Sequence, residues 1–249
     1  MTSGVELKSL EKRITRCRKC PRLKIYLREL SKHKPKRFRD WDYWSRPLPG
    51  FGDPKARVLI IGLAPAAQGG NRTGRMFTGD RSGEWLFRAL HQFGFANQPS
   101  SSRREDGLRL KDCYITATIR CAPPENKPLP VEIENCRPYL LKELDLLKNV
   151  EVIVPLGQIA FVQTLKSLRL KGYEVPSLSF GHGKVYLISP LGNGFEPFPR
   201  GLRTLNLITT YHPSQQNTLT GKLTRPMFHG IFRLVRDKLK GSGLEQREK

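Results

Sequence analysis

Residues 58–82, VLIIGLAPAAQGGNRTGRMFTGDRS, constrain the fold more than any other stretch of the chain. Four apolar residues, Val58 to Ile61, run into Gly62 and then into a long segment rich in Gly, Ala and Asn. A strand this short and this apolar belongs inside a sheet covered on both faces. In such sheets ligands sit beyond the carboxyl ends of the strands, so the Gly-rich segment is a candidate site rim. Gly62, Gly69, Gly70, Gly74 and Gly79 let backbone N–H groups approach a ligand, and Arg72 and Arg75 add fixed positive charge, a composition suited to an anion or phosphate. Gly-rich loops also serve simply to turn the chain. The segment matches neither G-x-G-x-x-G nor G-x-x-x-x-G-K-[ST], which argues against dinucleotide and nucleoside-triphosphate chemistry.

The rest of the chain alternates. Helix patterns over 5–16, 22–30, 85–93, 131–147, 158–168 and 227–239 are interleaved with short apolar strands at 113–119, 151–155, 184–189 and 204–211. Strands alternating with helices predict a three-layer α/β/α sandwich around a central, largely parallel sheet. Residues 1–241 read as one domain with cysteine-bearing N-terminal helices, and 242–249 as a charged, disordered tail. The strand 204–211 delivers His212, followed by Pro-Ser, to the rim that carries the Gly-rich loop. A lone histidine there is either a catalyst or an ordinary structural residue.

Charge narrows the partner. Lys and Arg number 44 against 22 Asp and Glu, a formal charge of +22, which points to nucleic acid or an anionic surface. Residues 31–56 interleave bases with Trp41, Tyr43 and Trp44, which suits phosphate charge and base stacking, or equally the pinning of a long loop. No run of about 18 apolar residues occurs and the N-terminus lacks a signal-peptide core, so a cytoplasmic, nucleoid-associated protein without membrane contact is expected. Cys17 and Cys20 have the C-x2-C spacing that brings two thiolates to one metal or cluster, and Cys113, Cys121 and Cys136 follow. No strand precedes Cys17, so metal is favoured over a thioredoxin-type dithiol.

Three segments, in order, resemble the uracil-DNA glycosylase superfamily and within it the type B, or family 5, enzymes: GLAPAAQGGNRTGRMFTGDRSG at 62–83, ITATIRCAPPENKP at 115–128 and HPSQQNTLTGKLT at 212–224. The resemblance runs from Cys17 to the final helix. It implies a monomeric DNA repair enzyme that flips uracil and other deaminated bases out of double-stranded DNA, hydrolyses the N-glycosidic bond and hands an abasic site to downstream repair partners. It also implies a 4Fe-4S cluster on Cys17, Cys20, Cys121 and Cys136, with Cys113 left unliganded; zinc on the same four cysteines is the alternative. A non-catalytic DNA-binding protein with a structural or redox-sensing cluster is the competing class.

Carried over residue by residue, the resemblance puts Phe77 on the face of the extruded base, with Gly62, Leu63 and Ala64 lining the pocket, Asn126 on the Watson–Crick edge and His212 at the base oxygen. Thr116 and Thr118 occupy the positions at which other branches place the base-reading Asn. Residues 63–67 offer no polar side chain, and Asp80 is the one acid between Arg57 and Arg81, so Asp80 is the candidate catalytic carboxylate; its competing role is a helix N-cap. Arg72, Arg75, Ser214, Gln215, Gln216, Asn217 and Leu219 are the candidate DNA contacts, with Leu219 or Gln216 as the wedge.

Overall fold

A computed structural model of the chain describes residues 3–192 and 202–245. Six strands form one sheet in the order β1-β3-β2-β4-β6-β5: β1 (Phe51–Gly52), β2 (Val58–Gly62), β3 (Cys113–Ala117), β4 (Val152–Pro155), β5 (Val185–Ile188) and β6 (Leu205–Ile208). The four inner strands are parallel, and the edge strands β1 and β5 pair antiparallel to β3 and β6.

Strand side chains alternate between two cores. Val58 and Ile60 face one, with Ile115 and Val154, under α4 (Arg81–Gln92) and α8 (Arg225–Glu245). Leu59, Ile61 and Ile153 face the other, under α1 (Ser3–Thr15), α5 (Pro130–Leu146) and α6 (Gln158–Leu170). Continuous burial along β2, β3 and β4 explains why these strands read as unbroken apolar runs. The expected three-layer α/β/α architecture holds. α2 (Pro21–Lys32) packs Leu23 against Ile119, Ile133 and Cys136 in a third, smaller core.

Two short helices, α3 (Gly70–Thr73) and α7 (Gln215–Leu219), lie inside stretches read as loops, and β1 lies inside the Pro/Gly-rich run. α8 continues to Glu245, so residues 242–245 are helical rather than tail; 246–249 fall outside the described residues. The chain leaves central β2 for β3 across one face through α4. It then crosses back to β4 across the other face through α5. The carboxyl ends of β2 and β4 therefore flank a topological switch point, where α/β sheets bind ligands.

Candidate active site

At the end of β2 the backbone of Gly62 and Leu63 accepts hydrogen bonds from the N–H groups of Thr118 and Ile119, both 2.9 Å, which extends the β2–β3 pairing into the rim. The Gly-rich segment then turns through α3 and returns with Phe77 over Gly62. A Cβ on Gly62 would stand 2.8 Å from the Phe77 ring, so only glycine leaves this ring its seat. Phe77 has φ 55°, a left-handed conformation that costs a bulky residue on the order of 1–3 kcal/mol and persists where the surroundings impose it. His212 arrives from β6 with its ring centroid 6.1 Å from that of Phe77 and the planes 32° apart. The rim thus brings Gly62, Phe77 and His212 together.

Asp80 is the N-cap of α4: its Oδ1 accepts the Gly83 N–H at 2.8 Å. The other oxygen would collide with a Cβ at position 69, so Gly69 makes room for the carboxylate. Burial raises the Asp80 pKa against the opposing pull of the N–H groups of Gly83 and Ser82. The carboxylate therefore caps the helix and stands three residues from Phe77.

Burial pulls the His212 pKa down to about 4, so the imidazole is neutral at physiological pH. Its ring makes no hydrogen bond among the described residues, while its backbone carbonyl accepts from Asn217 Nδ2 at 2.9 Å. The strand end that carries it is held by a residue the sequence did not single out. His182 Nδ1 accepts the Tyr211 N–H at 3.4 Å and lies 3.2 Å from the Thr210 hydroxyl, and its ring packs on Tyr211 with centroids 5.3 Å apart. Burial also lowers its pKa, against a hydrogen bond to the Met227 backbone. The signal available beforehand was a histidine between two glycines just before an edge strand.

Several expected DNA contacts are instead internal. Arg72 is 4 % exposed, with its guanidinium 4.0 Å from the ring centroids of both Phe38 and Trp41 while it donates to the carbonyls of Gln68 and Gly79. Arg75 is 7 % exposed and saturated by Thr78, Ser101, Asp106 and the carbonyls of Arg103 and Arg104. Neither is a surface cation. The aromatics of residues 38–44 likewise serve the fold: the Tyr43 hydroxyl bonds Gln68, and the Trp44 ring packs against Gly74.

The HPS turn divides in the same way. Ser214 caps α7 by accepting the Asn217 N–H, and the Asn217 side chain holds the His212 carbonyl, so both brace the turn. Gln215, Gln216 and Leu219 face solvent, Leu219 at 68 % exposure. Asn126 is exposed on a left-handed turn with an amide that makes no hydrogen bond among the described residues. Thr116 and Thr118 are buried and bonded to Glu143 and the Gly62 carbonyl, which removes them as base readers. Leu63 is half-buried at the strand end, and Ala64 packs against the core that holds Cys121 and Cys136.

Cys17, Cys20, Cys121 and Cys136 line one cavity of about 660 Å³, together with Arg16, Arg18, Lys19, Lys24, Arg46 and Arg120. Burial pushes the Cys136 thiol up to about 11 and raises Cys121 further. Among the described residues no group of three or more Cys, His, Asp or Glu is drawn together tightly enough to hold a metal ion as it stands. Cys113 is fully buried between the sheet and α4, apart from this cavity.

Among the described residues, no helix is long and apolar enough to cross a membrane. Residues 49–236 match the family model of the uracil DNA glycosylase superfamily. The chain is 46 % identical over 215 residues to the type-5 uracil-DNA glycosylase of Thermus thermophilus, covering 86 % of this chain and 90 % of that one. It is 41 % identical over 213 residues to the type-5 enzyme of Pyrobaculum aerophilum, covering 85 % and 84 %. Against the type-4 uracil-DNA glycosylase of the same organism, identity falls to 28 % with 97 % of each chain covered. With three quarters of its length inside the family model and Gly62, Phe77 and His212 gathered at the switch point of the sheet, the chain belongs to the uracil DNA glycosylase superfamily.

Proposed function

We propose that the protein is a DNA repair glycosylase that flips uracil, and other deaminated bases, out of double-stranded DNA and hydrolyses the N-glycosidic bond. The observation that carries this reading is the pocket in which Phe77 lies over Gly62 and faces a neutral His212. Base flipping costs a few kcal/mol of unstacking, which stacking on Phe77 and edge hydrogen bonds offset. The exposed amide of Asn126 is suited to the Watson–Crick edge. Gln216 or Leu219, on the solvent face of α7, fills the gap left in the duplex.

As the C1′–N1 bond lengthens, cationic charge grows on the sugar and anionic charge on the base. The neutral imidazole of His212 keeps one ring N–H, which donates a hydrogen bond to the base oxygen as negative charge develops there. The Asp80 carboxylate stabilises the sugar cation and orients the water; the water oxygen bonds to C1′, its proton passes to the carboxylate, and the base leaves with the bonding electron pair.

The four cavity-lining cysteines fit a 4Fe-4S cluster. Four cysteines line one cavity of about 660 Å³, room for a group larger than a single ion, and the six lining cations suit an anionic cluster. When bound, the cluster supplies no step of the hydrolysis; it joins α2, α5 and the segment after β3. The reading further places the protein inside the cell, acting as a monomer and releasing an abasic product to other repair enzymes.

Incubating the purified protein with a uracil-containing duplex, then alkali, should produce strand cleavage at the uracil. Tight DNA binding with no cleavage would instead mark a non-catalytic DNA-binding protein.

Two further outcomes follow from the site. Because His212 protonates only as pH falls through about 4, the single-turnover rate should show no step near pH 6.5. It should decline only at the acid end, where the raised pKa of Asp80 places the loss of its carboxylate above the ordinary value of about 3.9. A limb centred at pH 6.5 would show that His212 titrates as an exposed imidazole.

His182 is a positioning residue for the His212 strand end. His182→Asn keeps an acceptor at the Nδ1 position and is expected to excise uracil within about threefold of the parent, whereas His182→Leu should lower the single-turnover rate by roughly tenfold, the scale of one lost hydrogen bond. Equal losses in both variants would reduce His182 to a packing residue.

A further inference from the structure

The connection from α4 to β3 takes an unexpected route. α4 runs from the carboxyl edge of the sheet toward the amino edge, where β3 begins, so a short turn would suffice. Residues 95–111 instead form an extended arm. Ala96 pairs with Leu110, the Lys111 N–H bonds the Phe95 carbonyl at 2.9 Å, and the Asn97 N–H bonds that of Arg109 at 3.1 Å. Residues 97–101 bend away from the Ala96–Leu110 bridge and carry the chain back to the site rim, where Ser101 meets Gly79.

At the rim the tip is fastened to the Gly-rich loop. The Gly79 N–H donates to the Ser101 carbonyl at 3.1 Å, the Thr78 and Ser101 hydroxyls lie 2.6 Å apart, and Arg75 clamps Asp106 at 2.6 Å beside the carbonyls of Arg103 and Arg104. Asp106 also accepts the N–H groups of Ser102 and Leu108, which fixes the tip from within. The result is a rigid, exposed turn whose anchor, Gly79, adjoins Asp80. Ser102, Arg103 and Arg104 are exposed there; Arg104 lies over the Trp44 ring at 4.7 Å, and the Arg103 guanidinium has no partner among the described residues.

We propose that this tip is a phosphate clamp for the DNA strand that carries the extruded nucleotide, with Arg103 and Arg104 as its cations and Arg75 as the internal staple that holds them beside the pocket. The proposal rests on the glycosylase reading and supplies the rim cations that Arg72 and Arg75 do not. A clamp on the sugar–phosphate backbone is blind to sequence, as an enzyme that searches for one base in any context requires.

The test is the affinity of an Arg103→Ala/Arg104→Ala double variant for a duplex bearing a stable abasic-site analogue, titrated across salt concentrations. Two phosphate contacts account for a slope of about 1.8 in log Kd against log salt. The variant should lose about that much slope and bind at least tenfold more weakly at low salt. A control, Lys142→Ala/Lys148→Ala, alters exposed lysines near the opposite edge and should bind like the parent. If the parent excises uracil and the Arg103/Arg104 variant binds with parental affinity and slope, or if the control loses as much as the variant, the clamp is disproved while the glycosylase reading stands. If the parent binds DNA but excises no uracil, it is the glycosylase reading that fails.

Discussion

Asp80→Asn is expected to cut single-turnover excision of uracil by about 10²-fold or more while preserving folding and DNA binding, the scale associated with a positioned acid–base group. The structure makes this a clean substitution. Asp80 caps α4 through Oδ1 and the Gly83 N–H, and asparagine caps a helix about as well as aspartate. What the variant loses is the negative charge, held in a recess opened by Gly69 next to the strained Phe77. Asp80→Ala removes cap and charge together and should add about 1 kcal/mol of destabilisation to the same catalytic defect. If Asp80→Asn excises at close to the parental rate, the residue is a cap only, and His212 with a backbone-held water becomes the better account.

The second large effect concerns the cysteine cavity. Anaerobically purified protein should be brown, absorb broadly near ~400 nm and contain iron. Cys136→Ser should bleach it and cost more than ~4 kcal/mol of stability, loss of a bound metal group being among the few causes of changes so large. The reason is geometric: Cys136 sits on α5, Cys121 on the segment after β3, and Cys17 and Cys20 between α1 and α2, so a cluster bound there would tie all of these elements together at one point. Cys113→Ala, in a different core, should keep its colour and lose only on the order of 1 kcal/mol, the usual scale of a single substitution. Stoichiometric zinc with no iron would overturn the assignment.

How much of this was legible beforehand depended on the kind of physics involved. β2, β3 and β4 are buried on both faces, and an unbroken apolar run has little else to be. The placing of Phe77 and His212 followed from strand ends, because a parallel sheet puts all such ends on one edge. What stayed hidden were decisions taken by tertiary contacts. Arg72 and Arg75 carry the composition of surface cations, and only the rings of Phe38 and Trp41 and the carboxylate of Asp106 reveal that they are buried. β1 consists of two residues in a Pro/Gly run, paired because β3 offers an open edge. α7 has five residues and none buried, so no apolar stripe announces it. The arm is polar along most of its length, and its return to the rim is visible only once the Arg75 partners are known.

The pairing of Thr118 and Ile119 with Gly62 and Leu63 has a consequence for how such a chain can vary in length. Gly62 seats the pocket ring, and Cys121 lies two residues beyond Ile119. An inserted or deleted residue between 118 and 121 would swing the cysteine away from its cavity or pull the strand end out from under Phe77. Length polymorphism among related chains should therefore be absent from this segment.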